Sequence, residues 1–158
     1  MTNFIFNDGG RMNAGYKGET RDCVCRAIAI ITRKPYKEVY DALNDLSETK
    51  KLGSRKIKTI YGTSYKKVSS SRTGVFKVTY DKYLKSLGYE WTPTMLVGQG
   101  CKVHLRSNEL PSGRLIIRVS GHITSMTDGV LNDTYDCSRN GTRCVYGYYK
   151  SNITNNNL

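Results

Sequence analysis

The chain has 158 residues, 38% of them hydrophobic and 12 of them tyrosine, and carries a formal charge of +12. That length suits a single domain with a true core and excludes two ordinary ones, and the apolar content excludes a disordered polyelectrolyte. No segment approaches the ~18 consecutive apolar residues of a membrane span, and Met1–Arg21 lacks the apolar core of a secretion signal. The expectation is a soluble, unsecreted chain with no membrane partner.

In chain order, a short strand at Phe4–Phe6 leads into a Gly- and Asn-rich loop (Asn7-Asp-Gly-Gly10, Asn13-Ala-Gly15). A helix then opens at Asp22, a good N-cap, with the apolar run Val24, Ala27, Ile28, Ile30 and Ile31 behind it. Cys23 falls in its first turn, where free N–H groups and the helix dipole favour a thiolate. A buried packing cysteine is the alternative reading. Cys25, two residues on, points about 200° away and belongs to the core.

Pro35 ends this helix near Lys34. A second helix, Tyr36–Leu46, carries Val39, Tyr40, Leu43 and Leu46 at three- and four-residue steps and packs its stripe on the first. Residues 47–74 read as a long basic excursion broken by Gly53, Gly62 and Ser69-Ser-Ser-Arg72. A third helix spans Lys77–Leu87, with Val78, Tyr83, Leu84 and Leu87 apolar and Gly88 as its stop.

Beyond Tyr89 the pattern becomes β. Met95–Val97, Cys101–Leu105, Leu115–Met126, Val130–Tyr135 and Cys144–Tyr149 are β-rich runs, separated by Gly98-Gln-Gly100, Pro111-Ser-Gly113, Asp128-Gly129 and Asn140-Gly141. Helices first and an antiparallel sheet second give an α+β domain over residues 1–150, with a flexible tail at 151–158. The five cysteines are an odd number, which argues against a disulfide framework. Cys-x-Cys at 23/25 and Cys-x6-Cys at 137/144 miss zinc-knuckle spacing, and there is no Gly-rich phosphate loop, so neither metal nor cofactor is expected.

Only two histidines are present, His104 and His122. Asp128-Gly129 is a two-residue hairpin signal. Folding about it pairs Thr127 with Val130, Ser125 with Asn132, Thr124 with Asp133 and His122 with Tyr135. Asp133 then lies diagonally beside His122 on one face. A carboxylate there accepts from one imidazole nitrogen and leaves the other for a thiol proton; a strand histidine merely bonded to an aspartate is the plainer reading. Taken as one strand, Leu115–His122 puts His122 on the face of Ile116, Arg118 and Ser120. His104 has no evident carboxylate and reads as a half-exposed strand residue.

The order Cys23, His122, Asp133 resembles that of papain-like cysteine peptidases, and the His-strand-turn-strand-Asp spacing is most similar to their short C39-like branch. Asp22-Cys23-Val24, Lys34-Pro-Tyr-Lys-Glu-Val-Tyr40, Gly100-Cys-Lys-Val-His-Leu-Arg106, Gly121-His122 and Asp133-Thr-Tyr-Asp136 with Arg143-Cys-Val-Tyr-Gly-Tyr148 resemble small bacteriophage proteins. The resemblance implies a papain-like fold and thiol acyl transfer on a peptide or isopeptide bond of a polypeptide substrate or host protein. Cys23 would be the nucleophile, His122 the general base and acid, and Asp133 the group holding the imidazole tautomer. The Cys23 amide would supply one oxyanion donor. The family's Gln before the cysteine is missing, since the sole Gln is Gln99, leaving Thr20, Asn13 or a backbone amide as candidates. Location would be a host cytoplasm or a virion.

A rival reading starts from charge. No Asp or Glu occurs in residues 49–80, where Lys50, Lys51, Arg55, Lys56, Lys58, Lys66, Lys67, Arg72 and Lys77 lie. With Tyr61 and Tyr65 among them, that stretch suits a non-catalytic virion component or a nucleic-acid- or host-factor-binding protein that keeps the fold. A solvated basic loop is the simpler meaning of such a run.

Overall fold

Dense apolar spacing makes helix α1, Cys23–Thr32, and buries Val24, Cys25, Ala27, Ile28 and Ile31. It stops two residues earlier than Pro35 alone implies, because Arg33 already turns to a left-handed φ of 60°. The computed structural model describes residues 2–48, 57–59, 62–64 and 69–152. Helix α2 (Tyr36–Glu48) buries Tyr36, Val39 and Leu43 against α1, and α3 (Lys77–Ser86) adds Thr79, Tyr80, Tyr83 and Leu84. Val78 is exposed, contrary to the expected stripe, since α3 turns its Thr79–Tyr83 side inward.

The strands are β1 (Asn3–Phe6), β2 (Ile57–Thr59), β3 (Gly62–Ser64), β4 (Tyr89–Pro93), β5 (Arg114–Val119), β6 (His122–Thr127), β7 (Val130–Asp133) and β8 (Val145–Ser151). Six of them form one sheet in the order β1-β7-β6-β5-β8-β4, while β2 and β3 pair separately. All neighbours in the large sheet are antiparallel except β1 and β7, so the domain is mixed α+β with a mostly antiparallel sheet. The three helices cover one face, on Ile116, Ile123 and Tyr149. On the opposite face, Leu115, Ile117, Met126 and Leu131 are covered by Leu105, Leu110 and Cys137 from the connecting segments. Each large apolar side chain so enclosed contributes about 1.5–3 kcal/mol before the cost of ordering the chain.

Several expectations are corrected. The Leu115–Met126 run is two strands, reversing at Ser120-Gly121, where Gly121 takes φ of 65°. That reversal pairs His122 with Val119, so His122 shares the face of Val119 and Ile117 rather than that of Ile116 and Arg118. Met95–Val97 follows β4 instead of forming a strand, because the amides of both Thr94 and Met95 turn onto the Tyr146 carbonyl and end the ladder. In the Cys101–Leu105 run a single bridge joins His104 to Cys144. Beside it Cys101 and Cys144 are disulfide-bonded, with Cα atoms 5.8 Å apart. An odd cysteine count excludes complete pairing but not one bond between segments that the fold lays side by side.

The basic excursion is partly structured. Ser71 is buried on α2, its amide donating to Asn44 Oδ1 at 2.8 Å and its hydroxyl to the Tyr40 carbonyl at 2.6 Å. Lys58 lies in β2, while Lys50, Lys51, Arg55, Lys56, Lys66, Lys67, Tyr61 and Tyr65, like the 153–158 part of the tail, lie outside the described residues. Among the described residues, no helix is long and apolar enough to cross a membrane.

Candidate functional site

Cys23 opens α1, half-buried, ahead of the first helical hydrogen bond from the Arg26 amide to the Asp22 carbonyl. Asp22 occupies the cap position without capping: its side chain makes no bond to the helix amides. Instead its fully buried carboxylate accepts from the Tyr36 hydroxyl at 2.5 Å and from Arg26 Nη1, and pairs with Arg11 Nε at 3.4 Å. The physical reason is burial, since a carboxylate out of water needs a cation more than it needs a backbone amide. Arg26, one turn along the same helix, supplies it. The negative charge next to the cysteine is thereby countered.

The strand side follows the register expected from Asp128-Gly129. Both residues take positive φ, 47° and 80°, and pair Thr127 with Val130 and Ser125 with Asn132. Asp133, 3% exposed, accepts from His122 Nε2 at 2.8 Å and from the Thr124 hydroxyl at 2.7 Å through the same oxygen. Its other oxygen takes the Thr134 amide at 2.7 Å and Arg26 Nη2 at 3.5 Å. Tyr135 lies over the imidazole with ring centroids 5.3 Å apart. With Nε2 committed to Asp133, Nδ1 is the nitrogen left over, and the imidazole and the Cys23 thiol line one cleft, near enough for each to act on the other's charge.

Electrostatics favour a thiolate–imidazolium pair. Burial opposes the charged form of Cys23, but the hydrogen bond and charge of His122, the Ile123 amide and Arg26 outweigh it and hold the thiol below its ordinary value. Burial likewise opposes the imidazolium, yet hydrogen bonds to Asp133, Cys137 and Cys23 push His122 up to about 12. Asp133 is lowered, its desolvation outweighed by His122 and Thr124. Cys25 is fully buried, and desolvation followed by the charge of Asp22 raises it to about 12. The two cysteines are thus shifted in opposite directions.

The thiol faces a cleft of about 630 Å³ walled by the Thr20–Arg21 loop, Thr73–Lys77, Tyr80, Arg118 and Tyr135. Thr20 reaches it, but its hydroxyl is already donated to the Arg72 carbonyl at 3.0 Å. Asn13 is exposed in the 10–15 turn and does not line the cleft. Arg72, a candidate anion-binding residue, is exposed; its Nη2 donates to the Lys17 and Glu19 carbonyls, both at 3.3 Å, and ties the basic segment to the loop before Cys23. His104 does have a carboxylate, Glu109, five residues on and 3.3 Å from Nδ1.

Sequence reasoning missed Arg26, the Ile123 amide and Cys137. Arg26 was legible as an i,i+4 partner of Asp22; the other two were not. Donor atoms of His122, Asp133 and buried Cys137 lie within 4.8 Å of one another, a set that could hold a metal ion. Asp133 already receives a guanidinium, an imidazole, a hydroxyl and an amide, which accounts for its charge without one. Compared with known protein families, curated proteins and solved structures, the chain matches none.

Proposed function

We propose that the protein is a cysteine peptidase-like hydrolase with a papain-like, C39-like arrangement, acting on a peptide or isopeptide bond through Cys23, His122 and Asp133. The observation that carries this reading is the hydrogen bond from His122 Nε2 to the buried Asp133 carboxylate at 2.8 Å, in the cleft that Cys23 lines from the start of a helix. A packing cysteine needs neither a histidine partner nor a lowered thiol.

In the proposed reaction the Cys23 thiolate attacks the acyl carbon, and the oxyanion formed there is met by the Cys23 amide at the head of α1. The C–N bond breaks as His122 gives its proton to the leaving amine, leaving a thioester on Cys23 and a neutral imidazole. Water then attacks the thioester carbonyl while His122 takes its proton, and the thiolate departs as the carboxylic acid product forms. Asp133 keeps Nε2 protonated and the ring in plane throughout.

The test is the alkylation rate of Cys23 by iodoacetamide against pH, assigned by peptide mapping. An apparent pKa below the ordinary ~8.5, rising toward it in His122→Ala, supports the pair. An inert Cys23, or one indifferent to His122, refutes it.

A further inference from the structure

The cleft in front of Cys23 is walled by Arg21, Lys77 and Arg118 as well as Arg26, and among the described residues no carboxylate lines it. Arg26 is spoken for by Asp22 and Asp133. The other three make no ion pair with a carboxylate among the described residues. Arg118 instead lies over the Tyr146 ring at 5.8 Å and Lys77 over Trp91 at 5.5 Å, contacts that orient a cation; the charge of Lys77 also acts on Asp81, one turn along α3. The nearest competing acid on α3, Asp81, is committed to Lys85 at 2.8 Å and to the Tyr149 hydroxyl at 2.7 Å. Glu19 lines an adjoining groove with Arg72, outside the cleft. Tyr80 lines the cleft together with Cys23 and Arg118. Between the cations the lining is apolar: Val24, Val75, Phe76, Tyr80 and Val119.

We infer that this cleft selects an acidic polypeptide segment, with carboxylates beside an apolar residue at the bond presented to Cys23. The inference rests on the proposed acyl-transfer site and adds its substrate class. A low-dielectric cleft carrying one sign of charge concentrates the opposite sign and penalises its own. Peptide is preferred to nucleic acid as the anion because a nucleophilic thiol needs an acyl carbon.

Two arms test it. The first compares alkylation of Cys23 by anionic iodoacetate and neutral iodoacetamide, each rate divided by that of N-acetylcysteinamide. The iodoacetate preference should be at least about ten-fold at low salt and shrink toward one at about 0.5 M NaCl. Because the His122 imidazolium also attracts iodoacetate, the deciding comparison is Arg21→Glu/Arg118→Glu, in which the preference should fall by about ten-fold. A preference unchanged by that double reversal overturns the inference while leaving the Cys23–His122 pair standing.

The second arm measures binding of labelled hexapeptides, Asp-rich and Lys-rich around a central Phe, to Cys23→Ala protein. The Asp peptide should bind at least about ten-fold tighter and lose that margin in the double reversal. Should Cys23 resist both reagents, the acyl-transfer reading fails and this arm alone judges the cleft. Equal affinities, or displacement of the Asp peptide by an unstructured oligonucleotide of equal affinity, overturn the assignment to acidic peptides.

Discussion

Arg26 is the residue on which two buried carboxylates depend, and Arg26→Met isolates that dependence. Methionine keeps much of the stem in the core, and nothing is lost at Nε, which is buried without a partner. What disappears is the guanidinium between Asp22, 0% exposed, and Asp133, 3% exposed. Removing one partner of a buried ion pair costs about 3–5 kcal/mol, because the other charge is stranded. Asp22 keeps Tyr36 and Arg11, and Asp133 keeps His122 and Thr124, so the loss should lie near the lower end. At about 2–4 °C per kcal/mol for a domain of this size, a loss of about 3 kcal/mol lowers Tm by about 6–12 °C. Trp91, the sole tryptophan, packs 4.8 Å from Tyr149 and reports unfolding by fluorescence in urea or on heating. Adding Asp22→Asn removes one stranded charge and should recover part of the loss. A cost below about 1 kcal/mol, the range of exposed pairs, refutes the reasoning.

Asp133→Asn should raise the apparent pKa of Cys23, because the imidazolium that stabilises the thiolate loses its carboxylate; iodoacetamide alkylation at pH 6.5 should slow by about ten-fold or more. In the stability profile, His122, raised in the folded state, contributes fully below its unfolded value of ~6.5 and loses that contribution as pH rises toward about 12. Cys23, lowered, gains its contribution as pH rises up to the unfolded thiol value of ~8.5. The slopes oppose each other just below about pH 8.5, so urea midpoints of the wild type should fall less steeply there than above it. Cys23→Ala should instead fall throughout, and a flat Cys23→Ala profile contradicts the assignment. Reduction, or Cys101→Ser/Cys144→Ser, opens a link of sequence separation 43. Chain entropy values that link at about 4 kcal/mol, seen as a lower urea midpoint in dithiothreitol, and an unmoved midpoint argues against the bond.

Asp128-Gly129 shows how a site can be half legible. Two adjacent residues able to take positive φ set a turn, the turn sets the register, and the register puts Asp133 beside His122 with no reference to the rest of the chain. Ser120-Gly121 marked a second reversal that a continuous β-rich run concealed, and a missed turn resets which face every later side chain takes. The Cys23 helix was likewise local, written in its apolar spacing and in Pro35.

What the sequence determined by itself are these short-range consequences: three helices, the His122–Asp133 hairpin, and the position of Cys23 at a helix start. Tertiary structure alone decided that α1 lies across β6 so that Cys23 and His122 line one cleft, and that Asp22 is swallowed with Arg26 rather than left to cap its helix. It also joined Cys101 to Cys144 and tied Arg72 to the loop before Cys23. Local preferences act within a turn or a hairpin, where neighbours along the chain are neighbours in space. Burial depends on which elements pack together, and it is burial that converts an N-cap aspartate into an ion pair and a surface arginine into the link between two carboxylates.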